Sequence, residues 1–217
     1  LQLNPKKQIK KRDTAMEVQQ IKDIANTLHG ARKTAQSLKQ FSASIENFKR
    51  NDAYSIQEEG MKLREAEGEK IIGLKMGLTS EGKRKQMNLD APLYGVLTDT
   101  MQVENEGNYQ LKGSIHPKIE PEIAFYLNKE LKGSVSREQV LEACEAICPA
   151  LEILDSRYDG FKYFSMEDVI SDNSSSSHYM LGPKTVDFKN IDLTNLNMKM
   201  KINGSIAQEG NSKAISD

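Results

Sequence analysis

The chain has 217 residues, of which 30 are Lys or Arg and 31 are Asp or Glu, with 37% hydrophobic and 28% charged residues. At this length roughly 70% of the unfolded surface is buried on folding, so a core needs no disulfide or structural metal. The net charge of −1 offers no field that would attract nucleic acid or an anionic membrane. The sequence has no run of 18 apolar residues that could span a membrane, and its first residues lack the apolar stretch of a secretory signal. These observations predict a cytoplasmic protein.

The chain is expected to divide into a short lead and one domain. Residues 1–13 carry five positive charges and almost no apolar periodicity, which indicates a flexible basic lead. No aromatic residue interleaves with these charges, so a nucleic-acid arm is disfavoured. Residues 14–217 are predicted to form a single domain.

Two helices are predicted at the start of this domain. Thr14 and Glu17 have the spacing of a capping box, and apolar residues at helical spacing follow until Gly30. A second helix is predicted over Asn51–Glu67, with Gly68 at the position that follows a helix C-terminus.

Another capping box is predicted further along the chain, formed by Ser136 and Gln139. Apolar residues at helical spacing follow it, so we predict a helix that continues through Cys144 and Cys148 and stops at Pro149. The nearby sequence supplies no partners for a metal or redox role, so the two cysteines are predicted to be buried as small hydrophobic residues.

Short apolar runs predict that strands dominate beyond residue 70, namely IIGLKMGL, YGVLTDTM, IEPEIAFYL and PALEILDSR. Alternation over residues 196–202 predicts a strand with one buried face, and Asn203-Gly204 predicts a type I′ hairpin turn. The run NSSSS at 173–177 is interpreted as a loop rich in hydroxyls. The sequence therefore predicts the α+β class, with N-terminal helices followed by a strand-rich mixed β body.

Three acidic residues are the candidate ligands of a metal ion. Because side chains alternate along a strand, Glu120 and Glu122 are expected on one face, and Pro121 favours an edge or a bulge. Glu152 lies in another apolar run, where an unpaired charge is costly to bury. Oxygen ligands suit Mg²⁺ or Mn²⁺. The alternative is a solvated strand face with a salt bridge at Glu152.

Further charged residues accompany these acids. Lys75, between two glycines in an apolar run, is a candidate cation for an anionic substrate, or else a lysine whose tip reaches solvent. Asp99 follows a strand-like run, where catalysis and turn capping explain it equally well. Arg157 is a candidate for holding a substrate carboxylate, unless it pairs internally with Asp155 or a neighbouring acid. No G-x-S-x-G, P-loop or G-x-G-x-x-G motif is present.

Five motifs in order resemble one known family. They are GLKMGLTS, PLYGVLTDTM, IHPKIEPEIAFYL, PALEILDSRYDGFKYF and SDNSSSSHYMLG. Together they are similar to the hydratase/decarboxylase branch of the fumarylacetoacetate hydrolase superfamily, and the likeness runs from about Asp52 to Gly210. Within that branch the motifs are closer to the enzymes that decarboxylate 4-oxalocrotonate than to the hydratases.

The resemblance implies a role for each matched residue. It implies that Glu120, Glu122 and Glu152 are ligands of Mg²⁺ or Mn²⁺, that Lys75 is an active-site cation and that Asp99 is an acid or base. It also places further residues at a substrate site, which Arg157 would join: Asp172, Asn173, Ser175 and Ser176.

The activity that the resemblance implies is metal-dependent decarboxylation of 4-oxalocrotonate (2-oxohex-3-enedioate) to 2-hydroxypenta-2,4-dienoate and CO₂, in the meta-cleavage degradation of aromatic compounds. The alternatives are hydration of 2-hydroxypenta-2,4-dienoate, carbon–carbon hydrolysis of acylpyruvates with His116 near the metal, and a non-catalytic metal-stabilised interaction module. The expected partners are further copies of the chain and the pathway hydratase. Relatives continue with glycine-rich strands, so this chain is expected to lack its C-terminal strands.

Overall fold

A computed structural model describes residues 16–86, 91–160 and 165–215. The predicted basic lead lies outside these residues, so the division into a lead and one domain stays a prediction. The elements in chain order are α1 (Val18–Thr34), α2 (Arg50–Ala66), β1 (Ile71–Gly77), α3 (Glu81–Gln86), β2 (Leu93–Thr98), β3 (Gln102–Val103), β4 (Lys118–Leu127), α4 (Arg137–Glu142), β5 (Cys144–Leu154), α5 (Met166–Ser171), β6 (Ser176–Leu181), β7 (Asn197–Ile202) and β8 (Ser205–Asn211). Helices followed by a mixed β body confirm the predicted α+β class.

The described strands form three sheets. β1 and β2 pair antiparallel, as do β7 and β8, and the largest sheet has the order β3-β6-β5-β4. In this sheet β4 pairs antiparallel with β5 and lies at the edge, as Pro121 predicts. β3 runs parallel to β6.

The helix α1 packs on α2, α2 packs on α5, and α5 packs on β2. Ile24 and Leu28 of α1 pack with Ile56 of α2 in one buried cluster, and Leu93 and Ile170 belong to a second cluster between β2 and α5. The apolar contacts of the second cluster fix β2 against α5.

The ends of the first two helices test the capping predictions. α2 and its end are confirmed, since Gly68 has φ +97° just beyond it. The predicted end of α1 near Gly30 is wrong. Ala31 extends the buried stripe of the helix, and Ala35 (φ 52°) ends it in the left-handed conformation, donating its N–H to Ala31. Thr14 lies outside the described residues.

The predicted helix through the cysteines is shorter than the sequence indicates. The capping box is confirmed, with Ser136 and Gln139 each bonding the other's backbone N–H, but α4 ends at Glu142 and Pro149 does not stop a helix. Cys144 and Cys148 instead lie on β5, because this run pairs with β4 along its whole length. Both are buried free thiols, as predicted.

The C-terminal hairpin agrees with its turn prediction. Asn203 and Gly204 have φ of 52° and 81°, as a type I′ turn requires. The predicted buried face of β7 is only half-buried, at Met198 and Met200. The serine-rich run is a turn only over Asn173–Ser175, because the remaining serines begin β6.

Candidate metal centre

Three glutamates converge on one face of the β4–β5 ladder. Glu120 and Glu152 are direct cross-strand partners, and Glu122 pairs with Ala150 two positions along. Each of the three offers a carboxylate oxygen, and these oxygens all lie within 4.8 Å of one another. The glutamates range from exposed (Glu122) to buried (Glu152), so the cluster opens to solvent at one side.

A lysine from a different sheet reaches this cluster. The Nζ atom of Lys75 on β1 lies 2.8 Å from Oε1 of Glu152, and its side chain is only 12% exposed. The same ammonium donates to the carbonyl of Ser174 at 3.2 Å. Lys75 therefore brings a positive charge to the buried end of the cluster, at Glu152.

The protonation of Glu152 reflects these surroundings. Burial raises the pKa of its carboxyl, the charge and hydrogen bond of Lys75 lower it, and the charge of Glu120 raises it again. The net shift is upward, because burial outweighs the attraction of a single ammonium. A second cation nearby would stabilise the ionised form of this carboxylate.

The serine turn, which is Asn173–Ser175, supplies the carbonyl that Lys75 contacts. All three residues are buried and have positive φ, at 50°, 57° and 56°. Residues with side chains rarely adopt this left-handed conformation, and three in succession persist only where the surroundings impose it.

The amide of Asn173 fixes the serine turn to β2. Its Oδ1 accepts the Val96 N–H at 2.7 Å, and its Nδ2 donates to the Val96 carbonyl at 2.9 Å. Both polar atoms of the amide are thus engaged with the backbone. Contact of Asn173 with substrate stays a prediction.

The two serines predicted at the substrate site are neighbours in the chain. Ser175 is the last residue of the serine turn, and Ser176 is the first residue of β6. The carbonyl of Ser175 accepts the Asp155 N–H at 2.8 Å. The hydroxyl of Ser176 is fully buried and has no hydrogen-bond partner among the described residues. The sequence left open which serine of residues 174–177 faces the substrate, and Ser174 is the one that contacts Lys75, through its backbone carbonyl.

Arg157 and Asp172 form a buried ion pair behind the serine turn. Nε of Arg157 donates to Asp172 Oδ1, and its Nη groups donate to the carbonyls of Asp155, Asp172 and Ser176. Burial raises the pKa of Asp172 to about 6 despite this partner. The internal partner of Arg157 is therefore Asp172, while the Asp155 carboxylate accepts the backbone N–H groups of Ile115 and His116. Substrate binding by Arg157 and Asp172 stays a prediction.

Asp99 lies apart from Lys75. It follows Thr98, which pairs with Ile71, so it is roughly 13 Å along the ladder from Lys75. Its Oδ1 accepts the N–H groups of Lys70 and Thr100, as turn capping predicts. Its charge also acts on a buried phenol, because burial first and Asp99 second raise the pKa of Tyr179.

Tyr179 and Gly95 are neighbours of the centre that sequence reasoning missed. Tyr179 is the cross-strand partner of Glu152 on β6, so both side chains point to the same face. Gly95 is the cross-strand partner of Lys75. A glycine inside a strand often marks close approach of another backbone, and this signal was available in the run YGVLT.

The fold and the site define an α+β protein with a carboxylate cluster suited to a divalent cation. The family model described as fumarylacetoacetate (FAA) hydrolase C-terminal matches residues 75–216. The chain belongs to this family. None of the described helices is long and apolar enough to cross a membrane.

Similar proteins include decarboxylases and hydratases. The chain is 39% identical over 165 residues to the 4-oxalocrotonate decarboxylase of Pseudomonas sp. (strain CF600). The aligned residues cover 76% of this chain and 62% of that protein. It is 37% identical over 191 residues to the 2-hydroxyhexa-2,4-dienoate hydratase of Comamonas testosteroni, covering 87% of this chain and 72% of that protein.

One solved structure is similar throughout most of the fold. It is the 4-oxalocrotonate decarboxylase from Pseudomonas putida G7 complexed with magnesium and adipate, with a TM-score of 0.88 and 32% identity over 94% of this chain and 77% of that one. The chain thus spans less than two thirds of the Pseudomonas sp. (strain CF600) relative and about three quarters of the solved structure.

Proposed function

We propose that the protein decarboxylates 4-oxalocrotonate to 2-hydroxypenta-2,4-dienoate and CO₂ with Mg²⁺ or Mn²⁺ as cofactor. The observation that carries this proposal is the convergence of Glu120, Glu122 and Glu152 within 4.8 Å beside Lys75. Similarity to a decarboxylase whose structure holds magnesium and a dicarboxylate supports it.

The three glutamates fit a hard divalent ion. Ligand oxygens of an octahedral ion with bonds of about 2.1 Å lie about 3 to 4.2 Å apart. The carboxylate oxygens here lie within 4.8 Å of one another, so small side-chain movements bring all three onto one ion. Three carboxylates leave other coordination positions for substrate and water.

The bound ion would act as a Lewis acid toward the keto acid end of the substrate. Lys75 would orient the anionic substrate and stabilise negative charge as it develops on the C2 oxygen, because its ammonium is held by Glu152 and Ser174 at the edge of the cluster. The carboxylate that leaves must be free of strong contacts, since such contacts would stabilise the ground state.

Asp99 is proposed as the acid or base at the distal end of the substrate. Its charge reaches the buried phenol of Tyr179, which is the neighbour of Glu152. Asp99→Asn would then reduce kcat while leaving Mn²⁺ affinity unchanged. Equal turnover by Asp99→Asn and the wild type would restrict Asp99 to its capping role at Lys70 and Thr100.

The second candidate function is hydration of 2-hydroxypenta-2,4-dienoate. Similarity to hydratases over a larger share of the chain favours keeping it. Each substrate is supplied separately to the full chain with Mg²⁺ or Mn²⁺. CO₂ release from 4-oxalocrotonate supports the decarboxylase, whereas 4-hydroxy-2-oxopentanoate formed from the dienoate supports the hydratase. Metal-dependent stabilisation without turnover of either substrate would favour the interaction module.

Homo-oligomers and a complex with the pathway hydratase are also proposed. Large apolar side chains on β1 and β4 are more than half exposed, at 61% for Leu74, 52% for Met76 and 54% for Leu127, and such surfaces often mark interfaces. Sedimentation of the chain alone and mixed with the hydratase tests each assembly, and a monomer in both samples would refute both.

A further inference from the structure

The structure assigns Asn173 and Gly95 as positioning residues for the Lys75 ammonium, acting through the carbonyl of Ser174. The inference rests on the proposed function only where it predicts a change in kcat. Its structural basis is the way the serine turn is fitted between β2 and Lys75.

Lys75 has two named acceptors, and only one of them lies outside the metal cluster. Glu152 is a proposed ligand of the ion, so its carboxylate is shared between the ion and the ammonium. The carbonyl of Ser174 is not a proposed ligand of the ion. It therefore determines where Lys75 stays once the cluster holds its ion.

Gly95 creates the space that the turn occupies. A Cβ atom at this position would lie 2.7 Å from the Asn173 carbonyl oxygen, 2.8 Å from Ser176 Oγ and 3.0 Å from Ser174 Cβ. The first of these is a backbone atom, so an added methyl group must displace the turn from β2. Since Gly95 lies directly opposite Lys75, the displacement occurs beside the ammonium.

Asn173 holds the turn in that space. Its amide makes two hydrogen bonds to Val96, the residue next to Gly95, and asparagine tolerates the left-handed conformation better than most residues. Removing the amide deletes both of these hydrogen bonds between the turn and β2 while leaving every proposed ligand of the ion unchanged.

The test compares Gly95→Ala with Gly73→Ala. Gly73 lies on β1 two residues before Lys75, and a Cβ atom there would meet nothing within 4 Å, so it is the matched control. Asn173→Gly is the second variant, which keeps the left-handed backbone accessible but deletes the amide. Melting temperatures and circular dichroism establish that each variant folds.

The first readout is the acetylation rate of Lys75 in the protein saturated with Mn²⁺, the state in which Glu152 is shared with the ion, measured by mass spectrometry. Lys62, whose side chain is 55% exposed, serves as the internal reference. We expect the rate at Lys75 to rise several-fold in Gly95→Ala and Asn173→Gly, and to stay unchanged in Gly73→Ala. Unchanged rates in both variants would overturn the inference.

The second readout is a double-mutant cycle in turnover. A misplaced ammonium should lower kcat by about 10- to 100-fold, with Mn²⁺ affinity preserved. In a Lys75→Ala background, Gly95→Ala should change kcat by less than about twofold, because residues that act through one group are not additive. Full additivity would contradict positioning. If the wild type turns over neither substrate, the proposed function fails and the acetylation rates alone decide the inference.

Discussion

Glu120 and Glu152 face one another directly across the β4–β5 ladder, and Lys75 reaches Glu152 from a different sheet. The centre is therefore assembled from two sheets, which are joined by the serine turn and by contacts between β2 and β6. Its carboxylates belong to one rigid ladder, whereas its cation depends on contacts between sheets.

Replacement of Lys75 by alanine should lower kcat by about two to four orders of magnitude, the usual scale for one electrostatic or acid–base group. Initial rates with 4-oxalocrotonate measure the effect. Lys70→Ala is the matched control, because Lys70 is exposed just before β1 and its hydrogen bonds with Asp99 are made by its backbone, which the substitution keeps. Near-normal turnover of Lys75→Ala would remove the lysine from the mechanism.

Replacement of Glu120 by glutamine should abolish stabilisation by Mn²⁺. A metal that binds only the folded state stabilises it by about 2.7 kcal/mol at 100 times Kd, and this gain requires all three carboxylates. Thermal unfolding with and without Mn²⁺ measures it. Glu130→Gln, at an exposed residue paired with Lys132, should keep the full shift. An equal shift in Glu120→Gln would refute the assigned ligands.

Glu69 should contribute to the stability of the fold only above acidic pH. Burial alone would raise the pKa of its carboxyl, but hydrogen bonds from Arg64, Thr98 and Thr100 outweigh burial and lower it to about 2. Because the folded-state pKa lies below the ordinary value of 4.5, this stabilisation is present above pH 4.5 and disappears as the pH falls toward 2. Melting temperatures across this range should therefore decrease less in Glu69→Gln than in the wild type.

The control for Glu69 is Glu58→Gln, whose carboxylate is 70% exposed beside Lys62. This variant should follow the wild-type acid dependence, since exposed pairs contribute little. Parallel curves for Glu69→Gln and the wild type would show that the Glu69 network does not govern acid unfolding.

Replacement of Arg157 by lysine should destabilise the fold by about 2 to 4 kcal/mol, because a lysine cannot reproduce the planar set of donors to Asp172 and three carbonyls. Denaturant unfolding measures this change. Arg137→Lys, at an exposed position that begins α4, should be neutral. Wild-type stability with reduced substrate affinity would instead support the predicted role of Arg157 in binding substrate.

The sequence predicted the structure correctly where the result depended on a single strand, helix end or turn. Alternation placed Glu120 and Glu122 on one face, and Asn203-Gly204 determined its hairpin turn. The addition of Glu152 to the cluster required the pairing of β4 with β5, which no local pattern encodes. Glu152 was selected as a candidate because a charge in an apolar run is costly to bury, and the resemblance to known motifs implied that it joins the other two as a ligand.

The failures have a common cause in tertiary contacts. Cys144 and Cys148 have helical spacing, but backbone hydrogen bonds to β4 along the whole of β5 override that preference. The serine turn was unpredictable for a related reason, since its left-handed residues are stable only against β2. Lys75 was selected from sequence, yet its anchor at Ser174 depends on that turn.

Pro121 has a second consequence at the outer margin of the largest sheet. β4 is the last strand of the described sheet, and an unpaired strand can template the addition of a foreign one. A proline lacks the N–H that such an addition needs and breaks the regular series of donors. The residue between two of the proposed metal ligands therefore also removes one of the donors that a foreign strand would need in order to pair with β4.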